Sequence, residues 1–182
     1  MIAYKFLAQR ALEPLSGFAW PVSGQEVPVD FGQSGVQVCR AADLAHWLHE
    51  ELWVVETGGD HRDSIDCVSV QRARLLRRID AWQLGAALRF ALACAAHASA
   101  LVARVPAGAS TPMPEYVEDA LASGQAGYIA VSAHAAALAA TLASIELGIE
   151  SSEEHAYRTE RAWQSEWIVQ QVIVPNAARA GL

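Results

Sequence analysis

The strongest constraint on the fold is a change of chemical character near Asp80. Before this residue, short alternating apolar runs are interrupted by glycine, proline and acidic residues, and after it come long alanine-rich stretches with helical periodicity. Alternation with a period of two is typical of half-buried strands, whereas recurrence every three to four residues is typical of helices. The sequence therefore predicts an α+β lobe over residues 1–79, followed by a helical lobe over residues 80–182 packed against it as one compact unit.

Composition and charge narrow the class of protein. The chain has 182 residues, of which 53% are hydrophobic, and this is ample for a buried core. The formal net charge of -7 opposes the dense phosphate contacts of a nucleic-acid binder, so we expect no nucleic-acid partner. Three cysteines without CxxC spacing, and a first segment unlike a signal peptide, favour a reduced, cytoplasmic setting.

The first half contains the patterns of a small mixed sheet with one helix. Leu44, Trp47, Leu48 and Leu52 recur at helical spacing, which predicts an amphipathic helix over residues 41–52. The other expected elements are a strand at Ile2–Leu7, an aromatic turn over residues 17–21, short extended runs over residues 36–39 and 53–56, a polar loop over residues 58–66, and extended structure over residues 67–79.

The second half predicts an antiparallel, alanine-rich helical bundle, because alanine at helix contacts lets the axes approach closely. The expected segments are a buried helix around residues 90–103, a proline-rich loop over residues 105–114, a helical segment over residues 115–123, a long helix over residues 126–147, and a last helix ending at Pro175. Ser151 and Glu154 have the spacing of a capping box at the start of this last helix. The run 126–145 is uncharged and long enough to cross a bilayer, but its small side chains favour a packed helix and no membrane.

The polar segment 58–66 gathers the most reactive groups of the chain. Asp60, His61 and Asp63 supply two carboxylates and an imidazole, which suit general acid/base chemistry. Their spacing matches no calcium loop or zinc site. We take these three residues as the candidate catalytic set, with a solvated connecting loop as the alternative.

Arginines follow this segment on the next extended run. Arg72, Arg74 and Arg78 would project from one face of a strand, where guanidinium groups could grip a phosphate or carboxylate ligand. With Cys39 and Trp20, Arg72 and Arg74 form the candidate ligand-binding set. Alternatively, the arginines pair with the acidic helical half.

Histidines elsewhere raise the question of a metal. His46, His49 and Glu50 would share one helix face, but they occur as HxxHE rather than the HExxH of zinc proteases, so an exposed polar face is the simpler interpretation. His97, His134 and His155 could converge with Cys94 in a bundle, yet inward carboxylates are missing around His97 and His134. We expect no metal and no cofactor.

A resemblance to known proteins covers residues 3–82 and, weakly, the rest of the chain. At Gly35-Val36-Gln37-Val38-Cys39, and again at residues 16–21 and 74–79, the chain resembles an uncharacterised family of actinobacterial and phage proteins. Relatives often read Gly-Ile-His-Ala-Cys, and here Gln37 replaces that histidine. The order of elements in the first half is also similar to ADP-ribosyltransferase-like domains, by analogy of shape alone. The alanine-rich half is distantly similar to helical immunity proteins.

Two functions follow as hypotheses. The first is a noncatalytic binding or regulatory protein, associated with defence or immunity, that uses an acidic helical surface with exposed Trp163 or Trp167. The second is a small cytoplasmic enzyme that acts on an anionic or nucleotide-like molecule at a site between the two lobes. The partner is accordingly a protein or a small molecule.

Overall fold

The protein is α+β, as the sequence predicts. The computed structural model describes residues 1–27, 35–106 and 126–175, with side chains from residue 129 onward in the last range. The described strands are β1 (Ile2–Leu7), β2 (Val36–Val38), β3 (Glu51–Asp63) and β4 (Val68–Arg78); the described helices are a 3₁₀ helix (Ala41–Trp47), α1 (Leu84–Val102), α2 (Ala126–Glu146) and α3 (Glu153–Ile168), which continues as a π-helical turn (Val169–Ile173).

The four strands form one curled sheet in the order β1-β3-β4-β2. Each pairing among these strands is antiparallel, so the sheet is not the mixed sheet that the sequence suggested. Beyond the end of β2, Cys39 and Tyr4 exchange two backbone hydrogen bonds of 2.8 and 2.9 Å. The sheet therefore curls until the chain following its last strand meets its first.

The expected polar loop over residues 58–66 is wrong for residues 58–63, whereas residues 64–66 form a turn. β3 continues to Asp63 and pairs with β4, and the hairpin closes where the Ser64 N–H donates to the Cys67 carbonyl at 2.9 Å. The register shifts between Gly58 and His61, and Gly59 has a φ of +77°, which suits glycine. Because of this irregularity, the side chains of this part of β3 do not alternate between two faces. Its sequence therefore lacks the pattern by which a strand is recognised.

The helix expected over residues 41–52 is also wrong in its second half. The 3₁₀ helix ends at Trp47, and Leu48 turns the chain toward β3 with φ -50° and ψ 127°. Leu44, Leu48 and Leu52 are all buried. They belong, in this order, to the 3₁₀ helix, to the connection after it and to β3. Their spacing therefore satisfied the helical pattern without a continuous helix.

Helices α1, α2 and α3 pack closely through small side chains. Ala98, Ala133, Ala136 and Ala140 are fully or almost fully buried in the core that the helices share. α1 packs along α2, and α3 packs on α2 and on the 3₁₀ helix. Both α1 and α2 are long and apolar enough to cross a membrane by length and composition, and 33% and 56% of their apolar windows are buried inside the protein.

The start of α3 differs from the expectation by one residue. The side chain of Ser152, not Ser151, accepts a hydrogen bond of 3.2 Å from the His155 N–H and caps the helix. Helical structure continues to Pro175, where the described range ends. The loop expected over residues 105–114 lies mostly outside the described residues, and the helical segment expected over residues 115–123 lies wholly outside them.

Two hydrophobic cores position the elements. The larger core joins the sheet to the helices and combines residues from both sides of Asp80, such as Phe6, Leu52, Phe90 and Ile168. The second core lies inside the curl of the sheet and includes Leu7, Trp20, Val55 and Leu75. The two lobes thus share one core, and a cleft remains at the edge where they meet.

Candidate functional site

A cleft of about 530 Å³ lies where the end of the sheet meets α1 and α2. This volume is within the range of sites that hold small molecules. We call it the interlobe cleft. Its polar lining consists of Gln9, His49, Glu50, Glu51, Arg78, Asp80 and Gln83, and its apolar lining of Leu48, Trp82, Leu84, Ala87, Ile129 and Ala130.

Two consecutive carboxylates build the polar wall. Glu51 accepts hydrogen bonds of 3.2 Å from the backbone N–H groups of Arg10 and Ala11. Glu50 accepts from the backbone N–H of Gln9 at 2.8 Å and from its carboxamide at 3.3 Å. Arg10 and Ala11 have φ values of 65° and 55°, a conformation that non-glycine residues adopt rarely and at an energetic cost. The two carboxylates therefore hold a strained turn after β1 at the rim of the cleft.

The last residue of β4, Arg78, supplies the cation of this wall. The guanidinium of Arg78 donates to Asp80 at 2.7 Å, and its Nη1 lies 3.5 Å from a carboxylate oxygen of Glu51. Gln83 precedes α1 without a side-chain capping bond, and the first turn of α1 contains no acidic residue. Gln83 and Leu84 line the cleft, so the partly positive N-terminus of α1 lies beside it.

The apolar wall is rigidly held around Trp82. Its indole N–H donates to the His49 carbonyl at 2.8 Å, and its ring makes edge contacts with Phe6 and Phe90 at centroid distances of 5.3 and 6.0 Å. Trp82 is 4% exposed. Ile129 extends this wall from the α2 side. A ligand would thus meet both polar and apolar side chains within one cavity.

His49 is the imidazole of the cleft. Its Nδ1 accepts a hydrogen bond of 3.0 Å from the Glu50 N–H, so the neutral ring carries its proton on Nε2. The expected shared helix face of His46, His49 and Glu50 does not exist, because the 3₁₀ helix ends before His49. Among the residues that the structure describes, no group of three or more histidine, cysteine or carboxylate side chains is arranged to hold a metal ion.

The predicted catalytic residues lie away from this cleft. Asp60, His61 and Asp63 are exposed near the end of β3. Asp63 pairs with Arg40 at 3.1 Å, and its other oxygen lies 4.0 Å from Nε2 of His61. Asp60 accepts a hydrogen bond of 3.2 Å from Gln71. These side chains share a surface, but the hairpin presents them to solvent rather than in the cleft.

The predicted arginines are strand residues with local partners. Arg74 forms a short hydrogen-bonded ion pair with Glu56, its cross-strand neighbour. Arg72 lies opposite Gly58 and is exposed. For Arg74 the alternative of pairing with the helical half is wrong, because its partner Glu56 belongs to β3. Arg78 pairs both with Glu51 of β3 and with Asp80, the first residue of the helical half.

The other two predicted ligand-binding residues are buried in the first lobe. Cys39 is 2% exposed and donates its S–H to the Tyr4 carbonyl at 3.2 Å, and burial raises its pKa to about 12. Trp20 is 4% exposed and donates its indole N–H to Glu13 at 3.1 Å. Lys5 lies over its ring at 5.3 Å and pairs with Glu13 at 2.8 Å, beside a second cavity of about 170 Å³. Cys39 belongs to the larger core and Trp20 to the second core, so the seven predicted residues occupy four places.

A buried polar network lies along α3. Arg161 donates to Gln164 at 2.8 Å and to the Ala45 carbonyl of the 3₁₀ helix, and its Nε is buried without a hydrogen-bond partner. The hydroxyl of Ser165 accepts from the Ala45 N–H at 3.0 Å. Gln164 donates to the Ala133 carbonyl at 2.9 Å. These bonds attach α3 to the first lobe and to α2.

The acidic member of this network is Glu160, which is 5% exposed. Its carboxylate lies 3.1 Å from Nε2 of His97, whose ring stacks on Trp163 at 4.0 Å. Burial raises the pKa of Glu160 to about 7 and lowers the pKa of His97, so both groups favour their neutral forms. Trp163 and Trp167 are half-buried in packing contacts rather than exposed.

The three histidines of the helical half do not converge. His97 contacts Glu160, His134 contacts the hydroxyl of Tyr157 at 2.8 Å, and His155 lies 3.5 Å from Glu150. Cys94 is fully buried, and burial raises its pKa.

Sequence reasoning placed a site between the lobes but missed the residues that line the cleft. The signals were the adjacent acids Glu50 and Glu51 directly before an apolar strand, and the pair of Arg78 and Asp80 directly before a helix. No family model, no curated protein and no solved structure matches the chain. The family resemblance of residues 3–82 therefore stays a prediction.

Proposed function

We propose that this chain is a noncatalytic binding protein that holds a small ligand in the interlobe cleft. The observation that carries the proposal is the cleft itself: about 530 Å³ at the junction of the two lobes, with one polar wall and one apolar wall. Cavities of this size and location are the usual places for small-molecule sites.

The chemistry of the lining supports binding rather than catalysis. None of the described lining residues is a serine, threonine, cysteine, lysine or tyrosine, so the side chains there that could act as nucleophiles are the carboxylates and His49. Glu51 already accepts hydrogen bonds from backbone N–H groups, and it also pairs with Arg78. Such groups fix the shape of a site and orient a ligand.

Filling the cleft tests the proposal. Ala130 lines the cleft on α2 and is half-buried, so Ala130→Trp would occupy ligand volume. Ala96→Trp is the matched control, because Ala96 is exposed on α1 and does not line the cleft. In a thermal-shift screen of small molecules, ligands should raise the unfolding temperature of the wild type and of Ala96→Trp, but not of Ala130→Trp. Ligands that stabilise Ala130→Trp equally would place the site elsewhere.

One observation favours a small enzyme as the second candidate. His49 and Glu50 line the same cleft, and Nδ1 of His49 lies 3.8 Å from a carboxylate oxygen of Glu50. An imidazole beside a carboxylate can transfer protons. Chemical change of a bound ligand, lost in His49→Ala while the ligand still binds, would establish this candidate over the noncatalytic one.

A further inference from the structure

The charges around the interlobe cleft bear on the class of ligand. Three carboxylates line it, from Glu50, Glu51 and Asp80, whereas Arg78 is the one guanidinium among the described lining residues. The open N-terminus of α1 adds a positive potential equivalent to about half a charge. The carboxylates still outnumber the positive contributions, so the cleft attracts a cation and repels an anion.

The carboxylate of Glu50 can accept further hydrogen bonds, unlike the other two carboxylates, which already pair with Arg78. Glu51 receives hydrogen bonds from two backbone N–H groups and from the Trp53 indole at 3.0 Å, and it also pairs with Arg78. Asp80 pairs with Arg78 as well. Among the described residues, the hydrogen-bond donors to Glu50 are neutral and both belong to Gln9. A carboxylate can accept about four hydrogen bonds, so Glu50 can accept more.

The nearest candidate cation does not neutralise Glu50. The one ion-pair contact of Glu50 among the described residues is with His49, whose Nδ1 lies 3.8 Å from a carboxylate oxygen. That nitrogen already accepts the Glu50 N–H, so the neutral ring has no proton there to donate to the carboxylate. Glu50 is half-buried at the rim, where a charge-assisted hydrogen bond is stronger than in open water.

The apolar lining favours an apolar group next to this cation. Trp82, Leu84 and Ile129 line the cleft. We propose that the ligand carries an amine-type cation that binds Glu50, attached to a small apolar or aromatic body that packs against Trp82 and Ile129. This inference rests on the proposed binding function and assigns the chemical class of its ligand.

Three matched probes test the inference: benzylamine, benzyl alcohol and benzoate, which share an aromatic ring and differ in charge. Affinities for the full chain are measured by saturation-transfer NMR titration at pH 7. Benzylamine should bind about tenfold more tightly than benzoate, which is the scale of one charge-assisted hydrogen bond. Added salt should reduce this preference.

The Glu50→Gln variant should lose the preference, since glutamine keeps an acceptor for the Gln9 N–H but has no charge. Glu56→Gln is the matched control, because Glu56 pairs with Arg74 outside the cleft. Equal binding of the three probes to the wild type overturns the assigned ligand class but leaves the cleft as a binding site. Preference that persists in Glu50→Gln overturns the assignment to Glu50. If none of the probes binds, the assigned ligand class is overturned. If Ala130→Trp binds them as the wild type does, the proposed function fails as well.

Discussion

Replacing Glu160 with glutamine should make the protein more stable at neutral and alkaline pH. Glu160 is 5% exposed, and burial raises its pKa from 4.5 to about 7. This difference corresponds to about 3 kcal/mol of free energy between the two protonation states. Glutamine is neutral at every pH and retains both an acceptor for Gln164 and a donor for His97. The variant should therefore avoid the cost of a buried charge.

The sign follows from proton linkage. Because folding raises the pKa of Glu160, the native state binds this proton more tightly than the unfolded chain. The stabilisation is fully present below pH 4.5 and is lost as the pH rises through about 7. His97 acts in the opposite sense, since burial lowers its pKa and its contribution is lost as the pH falls below 6.5. The difference between wild type and variant at each pH isolates the contribution of Glu160.

The assay is urea unfolding at several pH values between 5 and 8.5. The free energy of unfolding of Glu160→Gln relative to the wild type should increase by up to about 3 kcal/mol across this range. Glu166→Gln is the control, because Glu166 is exposed on the same helix. A difference between Glu160→Gln and wild type that stays constant with pH would refute the reasoning.

Other predictions concern local structure. Ser152→Ala should destabilise the protein by about 1 kcal/mol in urea unfolding through loss of the α3 cap, whereas Ser151→Ala should have little effect; equal effects would contradict the capping assignment. Gly59→Ala should cost about 1–2 kcal/mol because of its positive φ, and clearly more than Gly58→Ala, with the order measured by the same method. Cys39 should resist iodoacetamide at pH 8 until the protein unfolds, as followed by mass spectrometry; rapid labelling of the native protein would contradict its burial and raised pKa.

Regular patterns made part of the fold predictable. β1 has the bounds expected from the sequence, and α1 and α2 are long apolar segments whose length is typical of helices rather than strands. Residues 41–52 were misassigned because a 3₁₀ helix, its connection and a strand together place their leucines at helical spacing. Residues 58–63 were misassigned because a register shift removes the alternation that identifies a strand.

The candidate site was predictable in location but not in composition. Its lining comes from the turn after β1, the start of β3 and the residues before it, the end of β4, the connection to α1, the start of α1, and α2, and several of these segments are far apart in the chain. Only the antiparallel pairing of β1 with β3 brings Gln9 beside Glu50. No short sequence motif indicates that residues so far apart in the chain lie side by side. The polar residues around His61 are close in sequence, which made them the predicted catalytic set. The hairpin exposes them to solvent.

The binding of a ligand in the interlobe cleft is most directly tested by the indole N–H resonances of the tryptophans. The chain has six, and Trp82 lines the cleft, whereas Trp20 lies in the curl of the sheet and Trp163 stacks on His97. Titration of ¹⁵N-tryptophan-labelled protein with the tightest-binding ligand should shift the Trp82 resonance and leave those of Trp20 and Trp163 in place. Shifts of Trp20 or Trp163 with an unmoved Trp82 resonance would contradict the proposed site.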